Sequence, residues 1–145
     1  MGEPEFQEMS MQTPLPPPVL PERPPLRVLI VDDNPQVLRD LRQLLELTGG
    51  IEIVGEAGNG LEAVRLAGAC CPDAVVMDLE MPGLDGYAAT RLIKTLQPAP
   101  RVIILSIHAG REELERARAA GADAFVLKGE PYEILVNAIL GRNFG

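Results

Sequence analysis

Five short runs of β-favouring residues recur along the chain, each followed by a stretch with helical spacing. The runs are Arg27–Val31, Ile51–Glu56, Ala74–Met77, Arg101–Leu105 and Ala124–Leu127. The first, third and fourth are almost continuously apolar, as strands covered on both faces of a parallel sheet must be. Val37, Leu38, Leu41, Leu44 and Leu45 fall on one face of a first helix, which Asn34 caps, Pro35 opens and Gly49–Gly50 ends. Leu61, Val64 and Ala67 mark a second helix, and Tyr87 to Leu96 a third. Arg111 to Ala120 forms a fourth, with Glu112 and Glu113 at its positive N-terminus. Pro131 to Leu140 is a short fifth, with Ile134, Leu135, Ala138 and Ile139 as its apolar face and Gly141 as its stop. This alternation predicts an α/β fold: a doubly wound, five-stranded parallel sheet with five helices and right-handed crossovers. Functional residues of such sheets collect at the carboxyl ends of the strands.

The 145 residues are expected to form one globular domain over 26–140. Residues 1–25 hold eight of the 14 prolines and lack any apolar period, so they read as a disordered Pro-rich tail, in part a cloning remnant around Met1–Met11. Pro16–Pro17–Pro18 favours extended polyproline II, a ligand for a partner or, as the preferred reading, a spacer. Residues 141–145 form the C-terminal end. Thirteen Lys and Arg against 21 Asp and Glu leave a net charge of −8, which repels nucleic acid phosphates and argues against direct binding to DNA. No apolar run approaches the ~18 residues of a membrane span, and no basic-then-apolar leader opens the chain, so a cytoplasmic location is expected. Cys70 and Cys71 read as reduced thiols without a function.

The strand ends carry chemistry. The first run leads into Asp32–Asp33, the third into Asp78, the fourth into Ser106 and the fifth into Lys128. Three carboxylates brought to one rim repel one another unless they share a cation or take up protons. Oxygen ligands with room for water suit Mg²⁺ or Mn²⁺. A carboxylate beside such an ion can attack phosphorus and form an aspartyl phosphate, with Lys128 and Ser106 neutralising and hydrogen-bonding the transferred group.

The chain resembles the receiver domain of two-component response regulators. The resemblance is carried by Val28–Leu29–Ile30–Val31–Asp32–Asp33, by Asp78–Leu79–Glu80–Met81–Pro82–Gly83–Leu84–Asp85–Gly86, by Ile104–Leu105–Ser106 and by Gly121 through Lys128. It covers essentially all of residues 26–140. Ile53 through Gly60 further looks like the LuxR/FixJ-type subgroup. The resemblance implies a flavodoxin-like strand order 2-1-3-4-5, with Asp78 as the phosphoacceptor. Asp33 and Asp78 would bind Mg²⁺ (or Mn²⁺) directly, Asp32 through water, and the backbone carbonyl of Glu80 would add a ligand. Ser106 and Lys128 would hold the phosphoryl group, and Ser106 with Phe125 would form the switch. Glu80 and His108, two residues after Asp78 and Ser106, would influence the phosphoryl lifetime. The partner would be a sensor histidine kinase or a histidine phosphotransfer protein. A homodimer would use helix 4/strand 5/helix 5 or helix 1/helix 5. Such a module is not a metabolic enzyme: it catalyses only its own phosphorylation and dephosphorylation. Members of the subgroup usually regulate transcription through a helix-turn-helix domain that follows the receiver; the chain is expected to be either a receiver cut from a longer regulator, toward which the Gly141–Gly145 end leans, or a stand-alone receiver that acts by protein contact.

One departure stands out. Gly129 follows Lys128 where the family has proline, and a cis bond there would cost ~3–4 kcal/mol without proline, so a trans bond and a less rigidly aimed Lys128 are expected. Gly129 is also the one feature favouring a pseudo-receiver, a constitutive interaction or dimerisation module without phosphotransfer. A haloacid-dehalogenase-type phosphohydrolase would carry its Asp pair near the N-terminal strand, not at Asp78–Leu79–Glu80. A nucleotide- or flavin-binding fold would need a glycine-rich loop where Asp32–Asp33–Asn34–Pro35 stands.

Overall fold

The computed structural model describes residues 24–142. The expected tail over residues 1–25, apart from Pro24 and Pro25, and positions 143–145 of the C-terminal end lie outside the described residues.

The strands are β1 (Leu26–Val31), β2 (Ile51–Ala57), β3 (Ala74–Asp78), β4 (Arg101–Ser106) and β5 (Ala124–Leu127). They form one parallel sheet in the order β2-β1-β3-β4-β5, as expected. The helices are α1 (Pro35–Thr48), α2 (Gly60–Cys70), α3 (Gly86–Ile93), α4 (Arg111–Ala120) and α5 (Tyr132–Leu140).

Strand alternation divides the core into two layers. Val28, Ile30, Val76, Ile103 and Leu105 face α1 and α5, where they meet Leu38, Leu41, Leu45, Leu135 and Ile139. Leu29, Val31, Val75, Met77 and Ile104 face the other way, against Ala63 and Ala67 of α2, Ile93 of α3 and Ala117 of α4. Asp78 and Ser106 are the final residues of their strands, whereas Asp32 and Lys128 stand one residue beyond β1 and β5.

Several helical faces differ from the expectation. Leu61 is 71% exposed, because α2 buries the small stripe Gly60, Ala63 and Ala67, about 100° away around the helix. Leu44 is 42% and Ile134 44% exposed, and Val136 is buried in α5 instead. Helix α3 ends at Ile93 rather than Leu96: the Thr95 and Leu96 amides bond three residues back, and Pro98 and Pro100 lack the donors to continue. Pro131 caps α5 in an extended conformation and is not its first helical residue. Asn34 Oδ1 accepts from the Gln36 amide at 2.9 Å as the α1 cap, and Gly49 and Gly50 end that helix with φ of 81° and 78°.

Candidate functional site

Beyond β1 the chain stays extended for one residue, the Asp32 amide donating to the Ala57 carbonyl at 3.0 Å. Asp32 is thereby held in the sheet, 2% exposed, and the backbone then turns as the Asn34 amide donates to Asp32 Oδ1 at 2.9 Å. Asp32 Oδ2 is buried without a hydrogen-bond partner among the described residues. Asp33, on the outside of this turn, is exposed.

Asp78 is also 2% exposed. Its Oδ1 accepts from the Glu80 amide at 3.3 Å and from Lys128 Nζ at 3.1 Å. Gly86 brings α3 onto the backbone of this residue: a Cβ there would lie 2.5 Å from the Asp78 carbonyl oxygen. Gly60 plays the same part for the β3–α3 loop, where a Cβ would lie 2.3 Å from the Leu84 carbonyl oxygen. The segment joining Asp78 to α3 is thus closely packed at its Asp78 and Leu84 backbone.

Lys128 enters from the other side. Its amide donates to the Ser106 carbonyl at 2.7 Å, which extends the β4–β5 ladder by one residue and fixes the root of the side chain. Nζ then reaches between Asp78 Oδ1 at 3.1 Å and Asp32 Oδ2 at 3.6 Å. The Lys128–Gly129 bond is trans, as expected, since the one cis peptide among the described residues is Gln97–Pro98. Gly129 has φ 95°, a value open to glycine and closed to proline, so the loop takes a path that the family's usual residue could not follow. With Gly129 in place, Lys128 still reaches both carboxylates, its root held by the β4–β5 ladder.

Asp32, Asp33 and Asp78 can each place a carboxylate oxygen within 4.8 Å of the others. Burial pushes the pKa values of Asp32 and Asp78 above the ordinary aspartate range, against the lowering effect of Lys128 and the backbone amides. Burial by itself would lower Lys128, but its hydrogen bond and charge attraction to Asp78, with Asp32 and Glu80 behind it, hold its pKa above the ordinary lysine value. Three carboxylates against one ammonium leave the rim negative, and one buried oxygen lacks a donor. That donor set fits a hard divalent cation such as Mg²⁺.

Ser106 is fully buried. Its hydroxyl donates to Glu80 Oε2 at 3.1 Å and accepts from the His108 amide at 3.1 Å. Glu80 and His108 are both exposed, and what His108 brings to Ser106 is its backbone. Phe125 is half-buried on β5, one side lining a cavity of ≈ 290 Å³ with Ile134 and Asn137 of α5, the other a smaller one with Leu114 and Ala117 of α4. The Glu80–Ser106 bond and the close approaches at Gly60 and Gly86 were not expected from sequence. Nothing local in the sequence signals which atoms a glycine admits.

Residues 28–140 match the response regulator receiver domain family. The nitrate/nitrite response regulator protein NarP of Escherichia coli K12 is 38% identical over 120 residues, 83% of this chain and 56% of NarP. The chain spans little more than half the length of curated relatives such as this one. A LuxR-family two-component response regulator from Aurantimonas sp. SI85-9A1 superposes with a TM-score of 0.76 at 37% identity, over 82% of this chain and 88% of that one. The isolated receiver (REC) domain of RcsB from Salmonella enterica serovar Typhimurium, solved in the presence of the phosphomimetic BeF₃⁻, gives a TM-score of 0.72 at 27% identity, covering 83% and 92%. Among the described residues, no helix is long and apolar enough to cross a membrane.

Proposed function

The chain belongs to the response regulator receiver domain family, and on that premise we propose that Asp78 accepts a phosphoryl group from a phosphohistidine of a sensor kinase or a histidine phosphotransfer protein. The observation that carries this reading is the position of Lys128 Nζ, 3.1 Å from Asp78 Oδ1 and 3.6 Å from Asp32 Oδ2, at the rim where Asp33 also stands.

Both hydrogen bonds to Asp78 fall on Oδ1, which leaves Oδ2 as the attacking oxygen. An O–P bond forms as the P–N bond to the donor imidazole breaks; the electron pair of that bond stays on the ring nitrogen, and with the other ring nitrogen protonated the imidazole leaves as the neutral base. Lys128 neutralises charge on the transferred group, and the Ser106 hydroxyl donates to one of its oxygens. Asp33 and Asp78, with Asp32 through water and the Glu80 backbone carbonyl, would hold Mg²⁺ or Mn²⁺. Bound there, the ion would supply neutralisation of the negative charge at the site. Movement of Ser106 toward the phosphoryl group then frees space for Phe125 to turn inward, biasing the α4/β5/α5 surface between two states. Exposed Glu80 and His108 flank the route by which water ends the phosphorylated state.

The receiver unit is residues 26–140, with 1–25 as a Pro-rich tail and 141–145 as the C-terminal end. Its output is transcription, exerted in the cytoplasm through a DNA-binding domain, and dimers would form through α4/β5/α5 or α1/α5. Similarity to a transcriptional regulatory protein, 36% identical over 118 residues, and to a DNA-binding response regulator of the LuxR family supports the transcriptional output. The pseudo-receiver alternative drew its support from Gly129, yet Lys128 meets Asp78 with Gly129 in place.

Incubation with a small-molecule phosphodonor and Mg²⁺, followed by intact mass spectrometry, tests the reading. One added phosphoryl group is expected, absent with chelator and in Asp78→Asn. A folded chain that gains none refutes it.

A further inference from the structure

The Ser106 hydroxyl has one proton, and it is already in use. Ser106 Oγ donates it to Glu80 Oε2 at 3.1 Å, while the His108 amide occupies an acceptor position of the same oxygen at 3.1 Å. Ser106 is fully buried, and these two partners are its side-chain hydrogen bonds among the described residues. A hydroxyl that donates to Glu80 cannot donate to a group on Asp78.

Glu80 also sits where it can exert this hold. Its amide bonds Asp78 Oδ1 at 3.3 Å, and Gly86 packs α3 against the Asp78 carbonyl, so its backbone is tied to the phosphoacceptor strand. The Glu80 side chain thus spans from the end of β3 to the end of β4, and a charged acceptor makes the stronger sort of hydrogen bond. Glu80 is exposed, so once released its carboxylate is readily solvated.

We propose that the Glu80 carboxylate is a positioning latch that holds the Ser106 hydroxyl in the unphosphorylated arrangement and must release it before Ser106 can bond the phosphoryl group. The proposal rests on the phosphoacceptor reading above. It assigns Glu80 a regulatory part: the latch sets how readily the switched state is reached, acting through Ser106 and not through bulk charge.

Beryllofluoride with Mg²⁺ serves as the phosphoryl mimic, titrated into the full chain and followed by amide NMR. Four proteins are compared: wild type, Glu80→Ala, Ser106→Ala and the double variant, which form a double-mutant cycle. Removing the latch is expected to tighten binding about tenfold when Ser106 is present. In the Ser106→Ala background the same substitution should change binding by less than about twofold. The His108 amide resonance of unliganded Glu80→Ala should also shift toward its position in beryllofluoride-bound wild type. Equal tightening in both backgrounds means that Glu80 acts by repulsion alone and overturns the latch, as does no tightening at all. A wild type that fails to bind beryllofluoride with Mg²⁺ refutes the phosphoacceptor reading itself, and the latch falls with it.

Discussion

Lys128 Nζ lies 3.1 Å from Asp78 Oδ1 and 3.6 Å from Asp32 Oδ2, so one ammonium serves two carboxylates that are each almost wholly buried. Removing it strands both charges. Truncating one partner of a buried pair costs roughly 3–5 kcal/mol, and the 27% exposure of the Lys128 side chain reduces this toward about 1–2 kcal/mol. Lys128→Ala should therefore unfold at lower denaturant in metal-free buffer, with Mg²⁺ restoring much of the loss, and should not accumulate phosphoryl group. Denaturant melts with and without Mg²⁺ check the first part, and phosphorylation assays the second.

Asp78 has a raised pKa because burial disfavours its charged form. The native state then binds its proton more tightly than the unfolded chain does. This contribution to stability is gained as pH falls through the raised value and becomes a cost at neutral pH. Without Mg²⁺ at pH 7, Asp78→Asn should melt ~2–5 °C above wild type. The gap should narrow as pH falls into the acid range. Lys128, raised in its turn by Asp78, contributes in the opposite window: its stabilisation is full at neutral pH and lost as alkali deprotonates it. Calorimetric scans across pH check both; an Asn variant that melts below wild type at pH 7 contradicts the electrostatic account.

Asp33 is the exposed member of the acidic trio, so its charge costs the fold little. Asp33→Asn should leave the metal-free melting temperature within about 1 °C of wild type, as surface substitutions generally do. Mg²⁺ affinity should nonetheless drop about tenfold or more, measured by isothermal titration. Unchanged affinity would remove Asp33 from the metal site.

Gly86 admits no side chain, since a Cβ would lie 2.5 Å from the Asp78 carbonyl oxygen, a backbone atom that cannot swing aside. Gly86→Ala should cost roughly 1–3 kcal/mol, in line with overpacking elsewhere. It should also displace Glu80 and Asp78, so amide NMR shifts at both residues are expected in the variant. Gly129 differs: its Cβ space is open, and Gly129→Ala should cost only the strain of its positive φ, about 1–2 kcal/mol.

Much of the fold and of the acidic rim is legible in the sequence. Buried strands such as Val28–Val31 announce themselves by continuous apolarity, and their order places Asp32, Asp78, Ser106 and Lys128 at one rim. Helical faces were harder to read. The exposure of Leu61 follows from α2 using alanines at its buried positions, and a side chain's size says little about which stripe wins when the space beneath is shallow. The Glu80–Ser106 bond joins residues 26 apart, and no local pattern encodes it. Likewise, spacing cannot reveal that the Lys128 amide joins the strand ladder at the Ser106 carbonyl.

The most direct test of the central claim locates the phosphoryl group. After incubation with phosphodonor and Mg²⁺, borohydride reduction converts an aspartyl phosphate to homoserine, which peptide mass spectrometry places in the chain. Homoserine at position 78, and not at 32 or 33, is the predicted result. Homoserine at another position, or none from a folded chain that binds Mg²⁺, would contradict the assignment of Asp78 as the phosphoacceptor.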